Sequence, residues 1–314
     1  MAMFDLDGKR IWVAGHLGMV GSALVRRLER DGHTPLTTSR TEVDLMRQAE
    51  VEGWVAANRP QVVIIAAATV GGIAANSSKP VDFLSNNLQI GTNIMTACAA
   101  VPVEKLLYLG SSCIYPRLAP QPMREDALLT GPLEPTNQWY AIAKIAGIML
   151  AQAYRQQHGL DMISAMPTNL YGPGDNYDLE SSHVIPALIR KAVDARDSAA
   201  ETMTVWGTGT PLREFMHVDD LADALVFLLR NYSEHDHINV GTGQELTIAE
   251  VAQTICDVVG FKGKLVFDTS RPDGSPRKLM DSARLLGLGW KPRIGLREGL
   301  ETAYQAYLAG QRRR

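Results

Sequence analysis

Cysteine is scarce in this chain: Cys98, Cys113 and Cys256 are three among 314 residues, far apart and with no paired spacing. Such a set builds neither a disulfide frame nor a thiolate zinc centre, and it fits a reduced, cytoplasmic setting. Long apolar runs are lacking as well. None approaches the roughly 20 residues that span a bilayer, and residues 1–10 carry no apolar signal core, so neither a membrane location nor export is expected. An excess of one charge is also missing. The formal balance is -3, which leaves no basic footprint for nucleic acid, and Arg312, Arg313 and Arg314 read as a solvated terminus. There is no internal repeat and no low-complexity linker.

What is present is an ordinary globular composition, 46% hydrophobic and 21% charged, in a chain long enough for one large or two ordinary domains. Its first half alternates apolar strand-like runs with amphipathic stretches. Residues 10–14 form such a run, followed by Gly15-His16-Leu17-Gly18-Met19-Val20-Gly21 and a helical pattern through Arg30. Strand, tight glycine turn, helix is the arrangement that seats a pyrophosphate on the free N–H groups of a helix start. A second strand is expected over 34–39, ending at Arg40, about twenty residues past the last motif glycine, where an arginine suits a 2'-phosphate and an acid would suit a ribose hydroxyl. Arg40 favours NADP(H), although Glu42 and Asp44 are also within reach of a ribose. A third strand over 61–67 runs into Ala66, Ala67 and Ala68, small enough for a flat cofactor to approach.

The run 105–109 reads as a buried strand that breaks at Gly110 and delivers Ser111, Ser112 and Cys113 into a proline-containing loop, where an open parallel sheet keeps its chemistry. Downstream, Tyr140 and Lys144 are four apart and share one face of a helix. A tyrosine hydroxyl ordinarily titrates near 10, and a nearby ammonium stabilises the phenolate. With Ser111 on the same carbonyl oxygen, the three polarise a ketone for hydride attack. Further elements are expected over 161–166, from Ser182 onward as a helix, over 204–207, from strand to helix over 213–220, over 238–240, over 247–259 with a Thr247/Glu250 capping pair, and over 296–308.

The glycine turn, the strand-end serine and the Tyr140/Lys144 pair together resemble the extended short-chain dehydrogenase/reductase family. Longer segments, including Gly110-Ser111-Ser112-Cys113-Ile114-Tyr115-Pro116, Glu134-Pro135-Thr136-Asn137, Pro167-Thr168-Asn169-Leu170-Tyr171-Gly172-Pro173 and Arg213-Glu214-Phe215-Met216-His217-Val218-Asp219-Asp220, resemble its GDP-L-fucose synthase branch along nearly the whole chain. That resemblance implies 3,5-epimerisation of GDP-4-keto-6-deoxy-D-mannose and NADPH-dependent reduction at C4. It implies Ser111, Tyr140 and Lys144 for reduction, Cys113 as the epimerisation base and His183 as the acid. Cofactor contacts would come from Gly15, His16, Leu17, Gly18, Met19, Val20 and Gly21, from Arg40, Asp44, Leu45 and Ala67, from Leu109, Gly110, Ser111, Tyr140 and Lys144, and from Pro167, Asn169, Leu170 and His183. Asn169, Lys191, Trp206, Arg213, Asp273 and Lys278 would hold the GDP-sugar. Two departures stand out, Leu17 and Lys191, each where the resemblance leads one to expect arginine.

The expected fold is α/β, a Rossmann-type doubly wound parallel sheet with a smaller, mostly C-terminal α/β substrate domain. The division is 1–170, rejoined by about 215–244, for NADP, and 171–214 with 245–314 for the GDP-sugar. A homodimer packed through helices over 87–100 and 137–158 is implied, with no metal. The rivals are an epimerase/4-reductase of another nucleotide-diphospho-sugar and a non-catalytic NADP-binding regulator.

Overall fold

Short, predominantly apolar runs buried on both faces make central strands, and five of them form the spine of the molecule. The computed structural model describes residues 3–271 and 273–311, so the three terminal arginines lie outside it. The first half runs β1 (Ile11–Ala14), α1 (Met19–Arg30), α2 (Gln48–Asn58), β2 (Val62–Ile65), α3 (Ile73–Ser78), α4 (Asn87–Ala99), β3 (Lys105–Leu109), α5 (Gln138–His158) and β4 (Met162–Pro167). The second half runs β5 (Asn169–Tyr171), α6 (Val184–Asp197), β6 (Thr202–Trp206), β7 (Leu212–His217), α7 (Val218–Asn231), β8 (Ile238–Val240), β9 (Glu245–Thr247), α8 (Ile248–Val259), β10 (Lys264–Asp268), β11 (Arg277–Lys278), α9 (Ala283–Gly287) and α10 (Leu296–Leu308).

Strands β1-β2-β3-β4-β8 form one parallel sheet. Its two faces are covered by separate apolar layers. Leu24, Leu28, Leu221, Leu225 and Leu228 of α1 and α7 pack on one, and Val51, Val55, Ile94, Met95, Ile148 and Ala151 of α2, α4 and α5 on the other. This is the doubly wound α/β arrangement. A third apolar cluster, with Ile185, Ile189, Val205, Ile255, Leu300 and Tyr304, joins α6, α8 and α10 to β6. Beside it lie the parallel pair β10-β6 and the small sheet β11-β7-β5 with β9.

The expected strand over 34–39 contracts to a single bridge. Leu36 takes Val13 N–H (3.0 Å) and gives its own to Ile11 O (2.7 Å). The next rung would come from Gly15, whose left-handed backbone (φ 91°) swings the chain out of line. The chain therefore passes to the Leu36 side of β1 and returns on the other side at β2. That reversal opens a crevice at the carboxyl ends of β1 and β2, where doubly wound sheets bind their ligands.

Other expected elements form where their patterns placed them. The Thr247/Glu250 capping box closes the start of α8, and β6 alternates strictly, with Met203 and Val205 inward and Trp206 outward. Strands β5, β9 and β10 and helix α9 were not anticipated. All four are only three to five residues long, too short for a period to show.

Candidate active site

The glycine turn is built by contacts no other residue tolerates. A Cβ on Gly15 would lie 2.6 Å from the Ala67 backbone at the end of β2, and one on Gly21 would lie 2.1 Å from Gly15 O. Gly18 caps α1 in extended conformation without any side-chain bond to the first turn, so the helix starts with unclaimed N–H groups facing the crevice. These features fit a pyrophosphate. Leu17 stands 74% exposed on the turn, and beyond it Ser39 donates from its N–H (2.7 Å) and hydroxyl (2.8 Å) to Glu42. Those bonds hold the Glu42 carboxyl below its ordinary range, helped by nearby His16. Arg40 is exposed in this same turn. Asp44 closes its own loop onto Met46 N–H (3.1 Å), and Leu45 offers its carbonyl to Asn93 (3.0 Å).

At the end of β3, Gly110 leaves the space that Met166 fills, since an added Cβ would lie 2.2 Å from Met166 Sδ. Ser111 follows in extended conformation and starts a 3-10 turn over Ser112–Ile114, its Oγ accepting Cys113 N–H at 3.3 Å. Tyr115 fixes the far side of this turn, its hydroxyl bonding His237 Nε2 (3.0 Å) and Asn239. Helix α5 brings up Tyr140 and Lys144. The Ser111 hydroxyl faces that of Tyr140, and Cys113 is near enough to add to its electrostatics.

One expectation needs correcting here. Lys144 was expected to draw Tyr140 toward the phenolate, but its Nζ donates to Leu109 O (2.7 Å), lies over the Tyr108 ring (4.9 Å) and stays 5.8 Å from the Tyr140 ring centre. Burial pushes the Tyr140 phenol up, with Cys113 and Tyr108 adding to the effect and Ser111 opposing it. Burial also brings the Lys144 ammonium down to about 7. Tyr140 is therefore held as a neutral phenol, an O–H donor beside Ser111.

Cys113 Sγ has two donors, Asn137 Nδ2 (3.4 Å) and Lys278 Nζ (3.6 Å). Lys278 is also the charge felt by His183, whose imidazole is lowered chiefly by the protein around it and then by that lysine. His183 presents an open face to solvent although protein surrounds it on other sides. It caps α6, and the preceding loop is docked on the loop after β2, where Gly72 N–H bonds Ser181 O at 2.9 Å.

The remaining residues line the second half. Trp206, 55% exposed, sits between two cations, Lys191 Nζ at 4.6 Å and the Arg271 guanidinium at 5.0 Å from its ring centre. Arg213 is lowered by burial, with Asp273 opposing. Both Asp273 oxygens are engaged by Thr208, its N–H at 2.9 Å and its hydroxyl at 2.7 Å. Asn169 gives its amide to Glu214 O (2.8 Å), and Leu170 packs on the sheet core. Glu214 is fully buried. Its carboxylate accepts from Gly243 N–H (2.8 Å) and Met280 N–H (3.3 Å), although burial raises its pKa. Sequence reasoning missed Asn137, Glu214 and Arg271. Asn137 reads as a helix cap, Glu214 as an ordinary strand residue and Arg271 as a loop charge, and only packing reveals their neighbours.

Among the described residues no cluster of three potential metal ligands occurs, and no helix is long and apolar enough to cross a membrane. Residues 11–241 match the NAD dependent epimerase/dehydratase family. The chain is 57% identical over 309 residues to the GDP-L-fucose synthase of Sinorhizobium fredii, covering 98% of each. It is 51% identical to the GDP-L-fucose synthase of Escherichia coli, covering 98% of this chain and 99% of that one. Among solved structures, a GDP-L-fucose synthetase from Naegleria fowleri bound to NADP superposes with a TM-score of 0.91 at 29% identity, covering 98% of this chain and 97% of that one. The chain thus belongs to the NAD dependent epimerase/dehydratase family, within its GDP-L-fucose synthase branch.

Proposed function

We propose that this protein converts GDP-4-keto-6-deoxy-D-mannose to GDP-L-fucose, inverting C3 and C5 before reducing C4. The observation that carries the reading is the convergence on one corner of a hydroxyl pair, Ser111 and Tyr140, and a thiol two residues from Ser111 that meets Lys278. The hydrogens on C3 and C5 both flank the C4 ketone, so removing either places charge on the C4 oxygen. Ser111 and Tyr140 hold that oxygen and stabilise the charge. Cys113 takes the proton and His183 returns one from the opposite face. A diphosphate bound against Lys278 and Arg213 neutralises the repulsion that Lys278 exerts on His183 and moves the imidazole toward the range in which it donates. In the reduction, the nicotinamide supplies hydride to C4. Tyr140, kept protonated by burial, delivers the proton to the resulting alkoxide. Lys144 anchors the end of β3 to α5 through Leu109 O and so holds Ser111 and Tyr140 in register.

NADP(H) fits the crevice between the Gly15 turn and Ala67, with Arg40 beside the 2'-phosphate in the absence of an arginine at Leu17. The GDP end lies along Trp206, Lys191 and Arg213, with Asn169 and Asp273 shaping the sugar side. In this reading residues 1–170 and 215–244 serve the cofactor, and 171–214 with 245–314 the sugar nucleotide. A cytoplasmic homodimer completes it. Trp139, Ile142 and Met149 are 39%, 40% and 46% exposed along one side of α5, an apolar stripe suited to a second copy.

The test is incubation with GDP-4-keto-6-deoxy-D-mannose and NADPH in deuterated water, with NMR of the product. GDP-L-fucose labelled at C3 and C5 is expected. Cys113→Ser should lose the label far more than it loses NADPH oxidation. A product unlabelled at both carbons, or labelling untouched in the variant, refutes the assignment.

A further inference from the structure

Asn137 occupies the cap position of α5, where an asparagine normally turns its side-chain oxygen back onto the N–H of the second or third helical residue, a bond usually worth about 0.5–2 kcal/mol. Here it does not. The side chain makes no capping bond, and its Oδ1 is buried without a hydrogen-bond partner. Instead Nδ2 crosses to Cys113 Sγ at 3.4 Å. The backbone of Asn137 is used conventionally, with its N–H on Glu134 O (3.2 Å) and its carbonyl accepting from Ala141 (3.0 Å). The departure is therefore confined to the side chain. A helix start that forgoes its cap and leaves a buried acceptor unpaired has given up local stability, and such sites mark a requirement elsewhere.

We infer that Asn137 is a positioning residue for Cys113, fixing the sulfur and stabilising its anionic form together with Lys278. A donor on each of two sides of the sulfur, one an amide from α5 and the other an ammonium from β11, sets the direction of the remaining lone pairs into the cleft. The same amide, rotated by half a turn, offers Oδ1 to the S–H. One side chain thus serves both protonation states of a proton-transferring thiol. Because Asn137 lies three residues before Tyr140 on the same chain segment, it also couples the position of the base to that of the hydroxyl pair. The inference rests on Cys113 being the base, as proposed above.

The test compares Asn137→Ser, which keeps a good capping residue too short to reach the sulfur, with Asn137→Ala. The first readout is the rate of Cys113 carbamidomethylation by iodoacetamide at pH 7, with loss of iodide, mapped by peptide mass. Cys98 and Cys256 are buried and do not compete. Loss of one of the two donors that hold and orient the sulfur should slow alkylation about threefold in both variants. The second readout is the ratio of C3/C5 deuterium exchange to NADPH oxidation with unepimerised ketone, which should fall in both. The melting temperature of Asn137→Ser should stay at or above that of the wild type. Unchanged alkylation in both variants overturns the inference. So does a parallel loss of exchange, oxidation and melting temperature, which signals only a damaged helix start. Alkylation requires no sugar nucleotide, so its outcome stands apart from failure of the proposed reaction.

Discussion

Replacing Lys144 with methionine should make the protein more stable and inactive at once. The side chain is 3% exposed, and burial brings its ammonium from 10.5 to about 7, which corresponds to roughly 5 kcal/mol against the charged form. The bond to Leu109 O and the Tyr108 face return part of that, so an apolar chain of similar shape should gain ~1–3 kcal/mol at pH 6. The gain depends on pH in a defined direction. Below about 7 the lysine is charged in folded and unfolded chains alike, and its full penalty is felt. Between about 7 and 10.5 the folded chain binds fewer protons than the unfolded one, so wild-type stability climbs with pH. Lys144→Met lacks that climb, and its advantage should shrink steadily above pH 7. Urea unfolding at pH 6, 7.5 and 9 reads this directly, with NADPH oxidation measured alongside. A variant less stable than wild type at pH 6, or an advantage that is level across the three, would refute the argument.

Tyr140→Phe should lower ketone reduction by roughly a hundredfold or more while NADPH binding, followed by cofactor fluorescence, persists; near-normal turnover removes Tyr140 from the chemistry. Arg40→Ala should weaken NADPH binding about tenfold and leave NADH almost untouched, since only the former carries a 2'-phosphate; equal losses in calorimetric titration would make Arg40 a bystander. Trp206→Ala removes the surface that Lys191 and Arg271 flank and should raise the KM for the GDP-sugar about tenfold with kcat nearly constant. A fall in kcat alone would place Trp206 outside substrate binding.

Most of the first half could be read from the sequence because its signals are local. The apolar run ending at Gly110, the glycines of the first turn and the spacing of Tyr140 and Lys144 each imply a conformation within a dozen residues. The segment around Leu36 was misread because its strand character depends on how far β1 offers an edge, which Gly15 decides. The balance of forces at Tyr140 was misread for a related reason. Spacing put a lysine on the same helix face, but whether that lysine reaches the hydroxyl or the Leu109 carbonyl is settled by packing against Tyr108. Asn137, Glu214 and Arg271 act through residues distant in sequence, Cys113, Met280 and Trp206 among them, and no local pattern announces them.

The buried Glu214 carboxylate joins the loop after β8 to the segment after β11, while its backbone carbonyl holds Asn169. Three stretches distant in sequence are thereby tied to one residue. Adaptation to a different sugar has little freedom there, because any shift breaks several bonds to a fully buried group. Trp206 and Arg271 are exposed and bear no such constraint, and on the proposed reading it is there that a change of nucleotide preference, natural or engineered, can begin without disturbing the fold.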